Sequence, residues 1–186
     1  MSLIAKWINL INKVAVGSWK TRIIFAPIVG LFYIALIGFF IYISFIVDQL
    51  ADFPKILSNP PWNLIIGIPV TLIGFTLIFF SVLFFLKVKG TPVPLSPPPK
   101  LVKTGLYKYM RNPMLTGIFV QLFGCGIITN SISLIFIFTP LFMIINIWEL
   151  KMVEEPELEM RLGKDYIEYK KQVPMFFPWF KNDNAK

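Results

Sequence analysis

Charged residues stand on both sides of the last apolar stretch of this chain, where they could bind a polar ligand. Arg111 precedes Asn112 and Pro113, which suit the N-cap and the first turn of a helix. A helix N-terminus with free N–H groups attracts a carboxylate or a similar anion. Glu154 and Glu155 follow the stretch, and carboxylates at a helix C-terminus oppose the macrodipole by about 0.3–1 kcal/mol each. A cationic ligand, Arg111 or a lysine would offset that cost.

Composition argues against most other kinds of catalytic or metal site. The chain has no histidine and one cysteine, so neither histidine-based nor thiolate metal sites are expected. It has no glycine-rich phosphate loop, and its serines have no triad partner. Cys125 lies in an apolar stretch between two glycines, where burial in hydrocarbon predicts an inert thiol with a structural role. Acidic and basic groups at a membrane surface are the candidates that remain.

The apolar stretches predict an all-α, multi-pass membrane helix bundle. Hydrophobic residues make up 56% of the chain, and residues 23–47 and 64–86 carry no charge. Each exceeds the roughly 20 residues that cross a bilayer. Residues 113–148 are too long for one span and break at residues 129–131, which predicts two short spans joined as a tight hairpin. Pro140 lies inside the second of these spans, where it removes a backbone hydrogen bond and is expected to kink the helix. About four transmembrane helices follow, although a re-entrant hairpin for the last two is the alternative.

Charge placement predicts the orientation of the bundle. Of the 18 Lys and Arg residues, only Lys55 lies between the first two spans, and none lies at residues 129–131. The positive-inside rule then places both termini and the loop at residues 87–111 in the cytoplasm. The net charge of +8 is attributed to this topology and to contact with anionic membrane lipids, and nucleic-acid binding is not expected.

The whole chain, residues 1–186, reads as a single membrane domain. Residues 1–20 contain a predicted interfacial amphipathic helix at 2–16, whose apolar positions recur every three or four residues. Such a helix is typical of an anchor on the cytoplasmic leaflet, and a partner-binding helix is the alternative. Residues 22–87 hold the first two transmembrane helices.

Two polar segments flank the predicted hairpin and suggest a membrane enzyme. Residues 90–117 read GTPVPLSPPPKLVKTGLYKYMRNPMLTG, and residues 154–178 read EEPELEMRLGKDYIEYKKQVPMFFP. Both fall on the cytoplasmic side, where we expect them to close over a polar ligand. Their tyrosines would by default form an interfacial aromatic belt, and some could contact a cationic ligand by cation–π attraction.

These two segments resemble the isoprenylcysteine carboxyl methyltransferase family of integral membrane methyltransferases, which is related to the phospholipid N-methyltransferases. The first block, LVKTGLYKYMRNPMLTG, is similar to the family pattern of Leu-Val, Gly-x-Tyr and Arg-His-Pro-x-Tyr-x-Gly. The second block has the Glu-Glu pair, a Gly, two tyrosines three apart and Val-Pro. The resemblance covers roughly residues 88–178, about half of the chain.

The resemblance implies that residues 88–186 form a region that binds S-adenosyl-L-methionine at the cytoplasmic face. Arg111, Glu154 and Glu155 become the candidate catalytic residues, with Arg111 also positioning the cofactor carboxylate or an acidic substrate. The implied cofactor-binding residues are Lys100, Leu101, Val102, Tyr107, Asn112, Pro113, Met114, Leu115 and Glu154. No metal is implied.

Three residues differ from the family pattern. Asn112 replaces the histidine, and Leu115 replaces the tyrosine that follows it. The arginine that contacts the substrate carboxylate in the eukaryotic enzymes falls at Leu150, with Lys151 only adjacent. The loss of this arginine argues against a prenylcysteine substrate.

The leading hypothesis is therefore an S-adenosylmethionine-dependent methyltransferase for a lipophilic or small membrane-associated acceptor. A carboxylate or thiolate acceptor needs no base, whereas an amine could lose its proton to Glu154 or Glu155. A reductase that uses NADPH, like the sterol reductases, is one alternative. The other is a non-catalytic lipid-binding protein, in which Arg111 and Glu154 would pair with each other.

Overall fold

The described residues of the protein are helical, with no strand among them. The computed structural model describes residues 3–15, 19–57, 61–87 and 101–177. In chain order the elements are α1 (Leu3–Ala15), α2 (Trp19–Leu50), α3 (Trp62–Lys87), a 3-10 turn (Gly105–Lys108), α4 (Pro113–Thr129), a first π-turn (Leu134–Phe138), α5 (Thr139–Glu149), a second π-turn (Leu150–Glu154), α6 (Glu155–Leu162) and α7 (Lys164–Gln172). The all-α prediction is confirmed.

Three helical stretches among these residues are long and apolar enough to cross a membrane: Gly30–Leu50, Trp62–Phe84 and Leu134–Leu162. α4 is also apolar but has 17 residues, about 25 Å at 1.5 Å per residue, against a hydrocarbon core of about 30 Å. The predicted multi-pass helical bundle is confirmed, and the complete crossing of α4 stays a prediction. The last stretch continues well beyond the predicted fourth span, so the acidic candidates lie on the same continuous helix.

The predicted hairpin turn forms at Asn130, which ends α4 in the left-handed conformation with φ of 55°. Its Oδ1 accepts a hydrogen bond of 2.9 Å from the backbone N–H of Leu57. The Oγ of Ser131 accepts one of 3.0 Å from the N–H of Leu134, as an N-cap does. Polar side chains at the turn therefore bind the backbone N–H groups of Leu57 and of Leu134.

Glycines let α3 and α4 pack with their backbones in close contact. Gly67 and Gly74 on α3 face α4, and Gly117 and Gly124 on α4 face α3. A Cβ added at Gly74 would lie 2.6 Å from the backbone nitrogen of Gln121. Small residues at such contacts are typical of membrane helices, because they allow close approach and dense packing. This contact sets the position of the first turn of α4.

Substitution of Gly124 by Ala is expected to lower stability by about 1–3 kcal/mol. Its added Cβ would lie 2.7 Å from the backbone nitrogen of Thr71, so α3 and α4 would have to separate. The matched control is Gly38→Ala on α2, where a Cβ meets nothing within 4 Å and helix propensity favours alanine. Thermal unfolding in detergent checks both, and equal melting temperatures for the two variants would contradict the close contact.

Each π-turn lies just before a proline, one near the start of α5 and the other near the start of α6. Pro140 follows the first π-turn and Pro156 follows the second. Proline has no N–H, and its ring clashes with the carbonyl of the fourth residue before it. A π-turn relieves that clash by widening the helix with about one extra residue. The sequence predicted a kink at Pro140, and the structure accommodates both prolines in this way.

Aromatic side chains join the helices into one core. Phe142 on α5 contacts Phe40 on α2 and Phe119 on α4, with ring centroids 5.7 Å and 6.0 Å apart. Phe176, from the tail after α7, packs on Phe119 with the ring centroids 5.4 Å apart. The tail is thereby anchored next to the N-terminal half of α4.

The N-terminal helix is formed as predicted and packs against α6 and the second π-turn. Ile11 is buried, whereas Trp7 and Leu10 are exposed. Its placement on the cytoplasmic leaflet stays a prediction.

Candidate active site

An ion-pair network joins the start of α4 to the C-terminal helices. Arg111 binds the Oε1 of Glu155 through Nη1, and the Nζ of Lys170 lies 2.6 Å from the Oε2 of the same carboxylate. The side chains of Arg111 and Glu155 are only 10% and 6% exposed. Both oxygens of Glu155 are thus engaged by cations, in a partly dehydrated setting where breaking the pair is costly.

Neutral tyrosines and a charged lysine surround this network. The Nη1 of Arg111 lies 3.4 Å from the hydroxyl of Tyr166. Burial raises the pKa of Tyr166 and of Tyr169 above the ordinary value, so both keep their protons. The hydrogen bond with Glu155 raises the pKa of Lys170, which keeps the ammonium charged.

The loop before α4 pairs with the tail after α7 through backbone hydrogen bonds. The N–H of Arg111 donates to the carbonyl of Pro174 at 2.9 Å, and that of Asn112 to the carbonyl of Met175 at 3.1 Å. The buried Tyr169 donates its hydroxyl to the carbonyl oxygen of Tyr107 at 2.6 Å. The two segments singled out in the sequence therefore meet.

The N-cap prediction for Asn112 is correct in position and wrong in its side-chain contact. Asn112 precedes α4, and its carbonyl accepts the N–H of Thr116 at 3.0 Å. Its side chain makes no capping bond, because Nδ2 donates to the carbonyl of Met175 at 3.3 Å instead. The N–H groups of the first turn, at Met114 and Leu115, precede the first intrahelical bond and remain available to an anion.

Glu154 lies at the end of the second π-turn and is half-buried. Among the described residues it takes part in no ion pair, in contrast to Glu155. It is close enough to Glu149 to interact electrostatically, and close enough to the hydroxyls of Tyr33 and Tyr107 as well. A half-buried carboxylate with a second one beside it favours a cationic ligand.

The other residues predicted to bind the cofactor lie in two places, around the 3-10 turn and at the start of α4. Leu101 and Val102 are half-buried ahead of the 3-10 turn, which carries the buried Tyr107. Burial raises the pKa of Tyr107. Pro113 is buried at the first position of α4, and Met114 and Leu115 are half-buried beside it. Lys100 lies outside the described residues.

Sequence reasoning missed Lys170 and the pair of Asn146 and Tyr33. Nothing in the local sequence of Lys170 distinguishes it from the other lysines of α7. Tyr169 was one of the two tyrosines noted in the sequence and was assigned by default to an interfacial aromatic belt, whereas it is buried and holds the loop at Tyr107. Asn146 and Tyr33 form a hydrogen bond between α5 and α2. Asn146 had a usable signal, because a polar amide within a membrane-spanning stretch is costly unless it has a structural or functional role.

The fold and these residues together define a class of protein, a multi-pass helical membrane protein with a buried ion-pair network between the start of α4 and its C-terminal helices. The family model for phospholipid methyltransferase matches residues 62–165, which is more than half of the chain. The chain therefore belongs to the phospholipid methyltransferase family. This agrees with the resemblance noted from the sequence.

The chain is also similar to a curated protein, methanethiol S-methyltransferase 1 of Bradyrhizobium diazoefficiens. The two proteins are 29% identical over 82 residues, which is 44% of this chain and 27% of the relative. The chain thus spans about a quarter of the length of that relative. No solved structure matches the chain.

Proposed function

We propose that this protein is an S-adenosylmethionine-dependent methyltransferase that acts at the cytoplasmic face of a membrane. The observation that carries the proposal is Glu154, a half-buried carboxylate that takes part in no ion pair among the described residues, in a chain of a methyltransferase family. Arg111 binds its neighbour Glu155, which ties the start of α4 to the segment that carries Glu154. The first turn of α4 and Glu154 would then supply the positive and the negative binding element that an amino-acid moiety requires.

The described residues match the cofactor by charge and by polarity. The free N–H groups at Met114 and Leu115 suit its carboxylate, and Glu154 suits its ammonium group. Tyr107 and the half-buried Leu101 and Val102 offer apolar surface for the remainder. When bound, S-adenosylmethionine supplies a methyl group on a positively charged sulfur. Arg111 is assigned to positioning the loop, because its Nη1 is committed to Glu155.

We further propose that Glu154, not Glu155, faces the reacting groups. Both oxygens of Glu155 already bind cations, so neither is free to contact a ligand. Glu149 and Glu154 form no ion pair among the described residues, and a proton released by a neutral acceptor can pass to this carboxylate pair. The site then works by aligning the acceptor and excluding water.

The acceptor that best suits this site is a small uncharged thiol. Leu150 is buried where the resemblance would place an arginine for a substrate carboxylate, and the acidic Glu149 and Glu154 offer no cation to an anionic group. The relative from Bradyrhizobium diazoefficiens is named for methylation of methanethiol. Of the carboxylate, thiol and amine acceptors that the sequence leaves open, we therefore place the thiol first.

The non-catalytic alternative expects a direct pair between Arg111 and Glu154. Arg111 instead binds Glu155, so Glu154 stays available to a ligand. The reductase alternative requires a basic site for a nicotinamide phosphate. Within the described residues, Lys170 and Arg161 are engaged by Glu155 and Glu157, which disfavours that site.

Purified protein in detergent is expected to bind S-adenosylhomocysteine with micromolar affinity and to show no saturable binding of NADPH. Calorimetric titration measures both. With radiolabelled S-adenosylmethionine, ethanethiol should be methylated faster than octanoate or phosphatidylethanolamine in vesicles. Binding of NADPH alone would favour the reductase, and binding of neither by folded protein would favour a non-catalytic role. Faster methylation of octanoate would contradict the assignment of an uncharged acceptor.

A further inference from the structure

A hydrogen-bonded pair of polar side chains lies within the membrane-spanning part of the bundle. The hydroxyl of Tyr33 on α2 donates to the Oδ1 of Asn146 on α5 at 3.2 Å. Asn146 is 4% exposed, and its Nδ2 donates to the carbonyl of Phe142 at 2.8 Å. Polar groups at this depth lose their hydration and need partners within the protein.

The second π-turn brings Asn146 and Glu154 to the same side of the continuous helical stretch Leu134–Leu162. Eight residues separate Asn146 from Glu154, which in a regular helix of 3.6 residues per turn would leave them about 80° apart. The extra residue accommodated by the π-turn removes most of that offset. The two side chains then lie about two turns, or roughly 12 Å, apart along the helix axis. The hydroxyl of Tyr33 interacts electrostatically with Glu149 and Glu154.

We propose that Tyr33 and Asn146 form the subsite that binds the methyl acceptor, on the membrane side of Glu154, and that they select an uncharged head group with a proton to donate. The inference rests on the proposed function and names residues for its acceptor. Acceptors that dissolve in the bilayer reach this subsite without first entering the cytoplasm.

The chemistry of the pair suits a thiol. The oxygen of Tyr33 donates its proton to Asn146 and keeps lone pairs that accept an S–H or N–H group. The Nδ2 of Asn146 has a second N–H that can donate to the sulfur of the acceptor. Both side chains are uncharged, and the charged groups that interact with Tyr33 are the acidic Glu149 and Glu154. A carboxylate acceptor would find no cation in this pair, whereas a neutral thiol needs none.

A purely structural role for the pair would give a different pattern of results. An interhelical hydrogen bond in a membrane contributes on average about 0.6 kcal/mol to stability. Its loss would lower the melting temperature and leave the KM for the acceptor unchanged. An acceptor-binding role instead raises KM for the acceptor and leaves binding of S-adenosylhomocysteine unchanged.

The test compares Tyr33→Phe with Tyr42→Phe, because Tyr42 is an exposed tyrosine on the same helix. Loss of one hydrogen bond to the acceptor should raise the KM for ethanethiol about three- to tenfold in Tyr33→Phe. The affinity for S-adenosylhomocysteine, measured by calorimetry, should match that of the native protein in both variants. Tyr42→Phe should leave the KM unchanged.

A second measurement works without turnover. Saturation-transfer NMR reports binding of ethanethiol to protein loaded with S-adenosylhomocysteine, and Asn146→Leu should weaken that signal as Tyr33→Phe does. An unchanged KM and an unchanged NMR signal in Tyr33→Phe, with native protein active on ethanethiol, would overturn this inference alone. Native protein that binds S-adenosylhomocysteine but neither binds nor methylates ethanethiol would overturn the thiol assignment together with this inference.

Discussion

Glu154→Gln is expected to weaken binding of S-adenosylhomocysteine about ten- to 150-fold while the protein stays folded. The substitution keeps the shape of the side chain and removes its negative charge. A hydrogen bond to a charged group contributes about 1.5–3 kcal/mol, which corresponds to this loss of affinity. Calorimetric titration measures the shift of the dissociation constant from the native value. The fold should persist, because Glu154 takes part in no ion pair among the described residues.

The control for this variant is Glu168→Gln on α7, where the side chain is exposed. It makes the same chemical change at a position outside the site, so its affinity should match the native protein. Melting curves in detergent show whether both variants are folded. Native affinity in Glu154→Gln would remove Glu154 from the cofactor site and with it the main support for the proposed function.

Local sequence signals were sufficient for three of the four predicted spans and for the hairpin turn. Uncharged stretches define the bundle because lipid cannot solvate charge or unpaired backbone. The turn at Asn130 was predictable because asparagine tolerates the left-handed conformation in which the structure places it. Serine at the next position caps the following helix through a contact only three residues long. The conformation at Asn130 and the cap at Ser131 are each determined by residues close together in the sequence.

The side-chain partners of Asn112 and Tyr33 lie far away in the sequence, and so they could not be predicted from it. Asn112 was expected to cap α4 with its side chain, and a carbonyl 63 residues later in the chain takes that side chain instead. The partner of Tyr33 lies 113 residues away. Periodicity carries no information on such pairs, because it reports which side of a helix is apolar and not which helix lies against it.

The prolines illustrate a partial success. Pro140 was visible as a disruption of its helix, and so a kink was predicted. The chain adopts a π-turn before Pro140 and another before Pro156. The choice between a kink and a π-turn depends on packing around the helix. The second π-turn matters for function, because it determines which of two adjacent glutamates shares a side of the helix with Asn146.

Glu155→Gln is expected to lower the free energy of unfolding by about 3–5 kcal/mol, whereas Glu154→Gln should leave it close to the native value. It removes the charge that neutralises Arg111, whose side chain is only 10% exposed, so a buried cation would be left without its partner. Thermal unfolding in detergent measures the loss.

The control for Glu155→Gln is Glu159→Gln, which breaks only the half-exposed contact with Lys170 at 3.0 Å and should cost about 0–1 kcal/mol. The double variant Arg111→Gln with Glu155→Gln should lose less stability than the two single variants together, because the groups form one network. Additive losses would show that Arg111 and Glu155 act independently. A network effect, combined with native stability of Glu154→Gln, would assign two neighbouring carboxylates to separate tasks, one that holds the loop against the C-terminal helices and one that remains available to a cation.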